Sequence, residues 1–243
     1  MTVPGNIVPL LMSEEVAAGG YQISRSLRFN SADSAYLSRT PASAGNRKTW
    51  TWAGWVKRSS LGAGYVTLFS NLDTSNNNGF HLTFYGHNLQ AYDYGAGAQL
   101  AIYTTAVFRD VSAWYHVVVL FDSTQATAAN RGKLYVNGVE QALSYATYPS
   151  LNADGLCNTA QLHAIGRQGD NNFNYFDGYL ADIHFIDGQA LTPSSFGEFD
   201  TNNVWQPKAY TGSYGTNGFH LEFADNSNNT ATTLGKDTSG NGN

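Results

Sequence analysis

Two nearby stretches limit what this chain can fold into. Residues 114–122, WYHVVVLFD, are apolar and β-branched at successive positions, which suits a strand covered on both faces. Residues 132–141, GKLYVNGVEQ, place Asn137-Gly138 between two strand-like runs, and Asn-Gly readily takes the two left-handed conformations of a tight hairpin. A strand buried on both faces, closely followed by a hairpin, implies packed antiparallel sheets.

The rest of the chain repeats the period-2 signal of half-buried strands. In GFHLTFY, residues 79–85, Phe80, Leu82 and Phe84 fall on one side and His81, Thr83 and Tyr85 on the other. TWTWAGWVKR, residues 49–58, sets Trp50 and Trp52 on one face before Gly54 and Trp55 break the alternation as a bulge would. SLRFN, SAYLSR, YVTLFSN, residues 89–94 and 100–103, LHAIG and GFHLEFAD are further strand candidates. In FDGYLADIHFIDGQALTPSSF, residues 176–196, Ile183 and Phe185 alternate with Asp182 and His184. That spacing predicts a packing strand with Asp182 and His184 facing outward. Asp187-Gly188 then reads as a turn, and Thr192-Pro193 as the cap and first residue of a helical turn.

Composition agrees with one large all-β domain. The chain has 243 residues, 25 of them glycine, and aromatics at 14% outnumber charged residues at 13%, a balance that suits short strands joined by polar loops. The formal net charge of −5 provides no concentrated Lys and Arg for nucleic acid or anionic lipid. The lone Cys157 has no partner for an internal disulfide. No run reaches the roughly 18–20 apolar residues of a membrane span, and no export signal is legible before Arg25. Folding in a cytoplasm is the expectation. Residues 1–24 read as an N-terminal arm whose Ile7, Val8, Leu10, Leu11 and Met12 form a docking patch, residues 25–225 as the sandwich, and residues 226–243 as a polar linker or the start of a further segment.

Four motifs in order resemble the laminin-G-like jelly roll of the concanavalin A-like lectin/glucanase group: SLRFNSADSAYLS; TWTWAGWVKR; WYHVVVLFD with GKLYVNGV; and AIGR with FDGYLADIHFIDGQAL. The resemblance implies two antiparallel sheets packed face to face. LGKDTSGNGN, residues 234–243, resembles a segment that follows such jelly rolls in bacteriophage tail-fibre and other virion proteins. It implies a virion structural protein, made in the host cytoplasm, that assembles with other virion proteins and with copies of itself as a trimer. There the motif usually continues, so either a longer natural polypeptide or an end where a flexible joint begins is expected.

The chemistry-bearing residues point to binding. Glycoside hydrolysis needs two converging carboxylates, whereas Glu140, Glu198 and Glu222 are isolated from one another, so no catalytic residues are assigned. Five of the six histidines, His81, His116, His163, His184 and His220, lie in strand-like segments without helical zinc spacing, so zinc is not expected. Calcium prefers loop oxygens, which Asp73 with Asn76 and Asp170 with Asn171 offer. The family's closing strand commonly carries an acid where this chain has Ala181, a departure from the inherited site. Sugar binding uses aromatic faces and amide or carboxylate groups, and the candidates are Tyr85, His87, Tyr92, Tyr94, Asn171, Asn172, Phe173 and Tyr175. Three functions follow: a non-enzymatic virion fibre subunit, a lectin-like adhesin, and a glucanase-like depolymerase.

Overall fold

The computed structural model describes residues 20–73, 78–95, 99–170 and 173–243. Asn76, Asn171, Asn172 and the arm residues Ile7, Val8, Leu10, Leu11 and Met12 lie outside the described residues. Sixteen strands are defined among those described: β1 Leu27–Phe29, β2 Leu37–Arg39, β3 Thr49–Arg58, β4 Tyr65–Ser70, β5 Gly79–Tyr85, β6 Asn88–Tyr94, β7 Ala101–Val107, β8 Tyr115–Asp122, β9 Gly132–Val136, β10 Val139–Glu140, β11 Leu143–Thr147, β12 His163–Ile165, β13 Gly178–Asp187, β14 Gly197–Phe199, β15 Trp205–Pro207 and β16 Phe219–Leu221. One short helix follows, α1 Ala231–Leu234.

Two antiparallel sheets form the sandwich. The first runs β1-β13-β3-β8-β9-β10, with β16 also on β13; the second runs β11-β7-β6-β5-β4-β12-β2. The apolar faces meet around Trp50, which packs against Phe80 at 4.8 Å and Phe121 at 5.6 Å between ring centroids. Asn137 and Gly138 both have positive φ, 48° and 79°, as the β9-β10 hairpin requires. Strand β16 pairs with β13 through Ile183 and Leu221, while β1 pairs with the other end of that edge through Leu27 and Leu180. The two short strands therefore lie end to end.

A covering layer lies over the outer face of the first sheet. Ala53, Val118, Leu120, Tyr135 and Ile186 point out of the sandwich and are sealed by Phe196, with Leu191, Tyr210 and Tyr214 packed around them. The chain reaches this position through a 3₁₀ turn, Pro193–Ser195, preceded by Thr192 in extended conformation, and through the two-stranded β14-β15 ribbon.

This layer corrects the reading of Asp182 and His184 as solvent-facing. They are only 2% and 1% exposed. Strand β13 shifts register against β3 between Ala181 and His184, and Asp182 takes φ +50°. A bulge inserts one extra residue and re-aims the side chains around it. It lets Leu180 and Ile183 both enter the core despite their odd spacing.

The segment with linker composition is fastened to the sandwich. Asp237 Oδ1 accepts from His220 N at 2.8 Å, Thr238 N donates to His220 O at 2.8 Å, and Asn241 Nδ2 donates to Gly218 O at 2.9 Å. Its Asn, Ser, Thr and Asp side chains satisfy backbone groups that a terminal strand would otherwise leave open. No helix of the described residues is long and apolar enough to cross a membrane.

Candidate functional site

The outer face of the second sheet carries the aromatic residues that the core does not use. Alternation, reset in β4 by a register shift between Thr67 and Phe69, places Tyr65, Thr67, His81, Thr83, Tyr85, Gln90, Tyr92, Tyr103 and Tyr145 there, opposite Phe69, Leu82, Phe84 and Leu89. The register lines them up in rows. One row runs from Thr67 through Thr83, Gln90 and Tyr103 to Tyr145 across five strands, and the next pairs His81 with Tyr92.

Ring contacts join these side chains into a pair and a longer chain on one face. Tyr65 and Tyr85 are 4.5 Å apart, His81 stacks on Tyr92 at 4.9 Å, Tyr92 meets Tyr103 edge-on at 6.1 Å, and Tyr103 stacks on Tyr145 at 5.0 Å. Tyr94 touches His81 edge-on at 6.5 Å. The rim is open: Tyr85 is 48% and Tyr145 52% exposed. Between the rings lie buried Thr67, Thr83 and Gln90, which provide hydroxyl and amide groups at the platform floor. Burial lowers the His81 imidazole to about 4, so it is neutral at pH 7, and burial likewise raises the Tyr92 and Tyr103 phenols above their usual range. The platform is uncharged and aromatic, with polar atoms recessed among the rings.

Of the sequence candidates, Tyr85, Tyr92 and Tyr94 are brought together on this face. The others are elsewhere. His87 lies in the β5-β6 turn, where its carbonyl accepts from Phe108 N at 2.9 Å. Tyr175 packs on Tyr36 at 6.5 Å, with Arg167 over the Tyr36 ring at 3.6 Å, and Phe173 is exposed beside that region of the chain. Sequence reasoning missed Tyr65, Tyr103 and Tyr145. A signal was available for Tyr103, at a non-core position of alternating β7, whereas register shifts in β4 and β11 obscure the faces of Tyr65 and Tyr145.

The two proposed calcium loops meet at Leu72. Asp170 N donates to Leu72 O at 3.2 Å, and Asp73 pairs with Asn78 through reciprocal backbone bonds of 2.9 and 3.1 Å. Asp73 Oδ2 accepts from Gln161 Nε2 at 3.2 Å. Two of the isolated glutamates are ion-paired, Glu140 with Lys133 at 2.8 Å and Glu198 with Lys208 at 3.9 Å.

Comparison with known proteins agrees with this architecture. The family profile described as the concanavalin A-like lectin/glucanases superfamily, of laminin G type, matches residues 30–196. A heptameric SAP-like pentraxin from Limulus polyphemus superposes with a TM-score of 0.51 at 15% identity, covering 71% of this chain and 80% of that one. Domains LG4-5 of the mouse laminin alpha1 chain give a TM-score of 0.50 at 11% identity, covering 84% of this chain and 48% of theirs. At these identities the likeness is one of fold. No curated protein matches the sequence. With two jelly-roll sheets in place and the family profile spanning most of the sandwich, the chain belongs to the laminin-G-type concanavalin A-like lectin/glucanase superfamily.

Proposed function

We propose that this protein is a non-catalytic, lectin-like binding module whose ligand is a carbohydrate held on the tyrosine platform of the second sheet. The observation that carries the reading is the chain of ring contacts from Tyr92 through Tyr103 to Tyr145 across three strands, open to solvent at the Tyr145 end. Sugar rings lay their C–H faces on aromatic faces, and recessed Thr83 and Gln90 offer partners for hydroxyls. A Ca²⁺ ion at the Asp73 and Asp170 loops is part of this proposal, supported by their meeting at Leu72.

A glycan array run with and without Ca²⁺ tests it. Binding of at least one glycan, weakened about tenfold or more by Tyr103→Ala or Tyr145→Ala with the fold intact, is the expected result. An array without binders, or binding indifferent to both substitutions, overturns the reading. Release of reducing ends from a bound polysaccharide would instead reveal a depolymerase.

We further propose a setting for the module, a bacteriophage fibre in which the arm of residues 1–24 docks a trimer to the particle. This rests on the resemblance of residues 234–243 to the segment after virion jelly rolls. Mass measurement in solution gives the copy number, and deletion of residues 1–24 should abolish incorporation into particles. A monomer whose incorporation survives the deletion sinks the idea.

A further inference from the structure

The bulge in β13 gathers a second polar constellation, on the opposite side of the molecule from the tyrosine platform. Asp182 Oδ1 lies 2.7 Å from His220 Nε2, and Asp182 Oδ2 lies 3.3 Å from His184 Nε2. One donor atom from each of the three residues falls within 4.8 Å of the others. His184 Nε2 is buried and faces Asp182 Oδ2 at 3.3 Å, with no closer polar partner among the described residues. The outer nitrogens are both engaged: His184 Nδ1 with the Tyr214 hydroxyl at 2.9 Å, and His220 Nδ1 with the Thr238 hydroxyl at 3.1 Å. Such outer hydrogen bonds fix the orientation of a histidine whose inner nitrogen binds a metal.

The centre offers one carboxylate oxygen and two imidazole nitrogens.

We propose that Asp182, His184 and His220 bind a single divalent transition-metal ion of the zinc class. Nitrogen donors favour zinc and its neighbours over calcium, which takes oxygen ligands. The imidazoles stack at 4.2 Å with 15° between planes. Because each Nε2 lone pair lies in its ring plane, the ion splays the two rings apart as it enters. Its role is a clasp. Asp182 and His184 belong to β13 and His220 to the short strand β16, so the ion joins strands otherwise held by three residue pairs. The Tyr21 hydroxyl, 2.8 Å from Asp182 Oδ1, stands beside the centre.

The test uses the full chain without a histidine tag, stripped with chelator and titrated with Zn²⁺ or Co²⁺. We expect one equivalent to bind, Co²⁺ to develop the visible absorption of a low-coordinate nitrogen-ligated site, and Zn²⁺ at a hundredfold excess over Kd to raise the Tm by about 5 to 10 °C. His184→Gln and His220→Gln should each weaken binding at least about a hundredfold, while Tyr21→Phe retains it. Unfolding of the His184→Gln chain would leave His220→Gln, at the sheet edge, and the Co²⁺ spectrum of the unsubstituted protein to decide. Absence of that spectrum, or binding unchanged in His220→Gln, overturns the proposal.

Discussion

Asn158 Nδ2 donates to Asp187 Oδ1 at 2.7 Å, joining the loop before β12 to the end of β13. The same carboxylate accepts from Asn46 N at 2.8 Å and, through Oδ2, from Asn217 N at 3.0 Å. Three loops distant in sequence thus converge on one buried acid. Asp187→Ala strands these donors in the interior and should cost about 3 kcal/mol in urea unfolding. Asp187→Asn, which keeps one acceptor oxygen, should cost less.

Asp93 predicts a loss of stability toward neutral pH. Burial pushes its carboxyl up to about 7, against the smaller opposing effects of the Leu156 N–H and Arg47. The folded state then holds a proton that the unfolded chain releases near 4, so this contribution is full below about 4 and disappears as pH rises to about 7. Its size is about 4 kcal/mol from the shift alone. Asp93→Asn should remove the slope and raise stability at pH 8. A denaturation series in which the two chains show the same pH dependence between pH 5 and 7 would refute it.

Buried His81 and His163 act in the other direction. Burial lowers each to about 4, so the unfolded chain takes up protons below 6.5 that the fold refuses. Their contribution is present above that value and lost as pH falls toward 4. Buried His116, lowered to about 3, acts the same way, so three histidines oppose one aspartate in that range and stability should rise from pH 4 to about 6.5. His163→Gln should flatten the acid limb in thermal melts.

Arg58 is a buried cation held by carbonyls. Its guanidinium donates to Phe108 O at 2.8 Å and Gly86 O at 3.1 Å and lies over the Phe84 ring at 4.5 Å. Arg58→Ala removes these bonds and leaves a cavity between β3 and the β5-β6 turn, with an expected loss of roughly 3 kcal/mol. Arg58→Lys, which lacks the forked donor geometry, should recover only part of it. Equal stability of all three chains in urea would contradict this account.

How far the sequence was legible depends on whether neighbours along the chain determine the outcome. Alternation in β5 sorts Phe80, Leu82 and Phe84 from His81, Thr83 and Tyr85, and the structure keeps that division. The Asn137-Gly138 turn is equally local. The environment of Asp182 is not. Its burial needs a left-handed bulge residue and a cover from Phe196, Tyr210 and Tyr214, which arrive through irregular chain with no period to read. The cross-strand meeting of Tyr103 and Tyr145 likewise depends on β11, whose Leu143, Tyr145 and Thr147 pair with β7 through a register shift.

The end-to-end arrangement of β1 and β16 on β13 has a kinetic meaning. Leu27 finds Leu180, and Phe29 finds Gly178, only after nearly the whole sandwich sequence has been made. Strand β13 is also the sole partner of β3 on that side. The first sheet therefore lacks its organising strand until residue 178 and beyond are available, and closing such long loops makes folding slow, on the order of milliseconds to seconds. Until then, the β3 edge that β13 will cover is exposed to other chains, and a ribosome or chaperone has a defined interval in which to shield it.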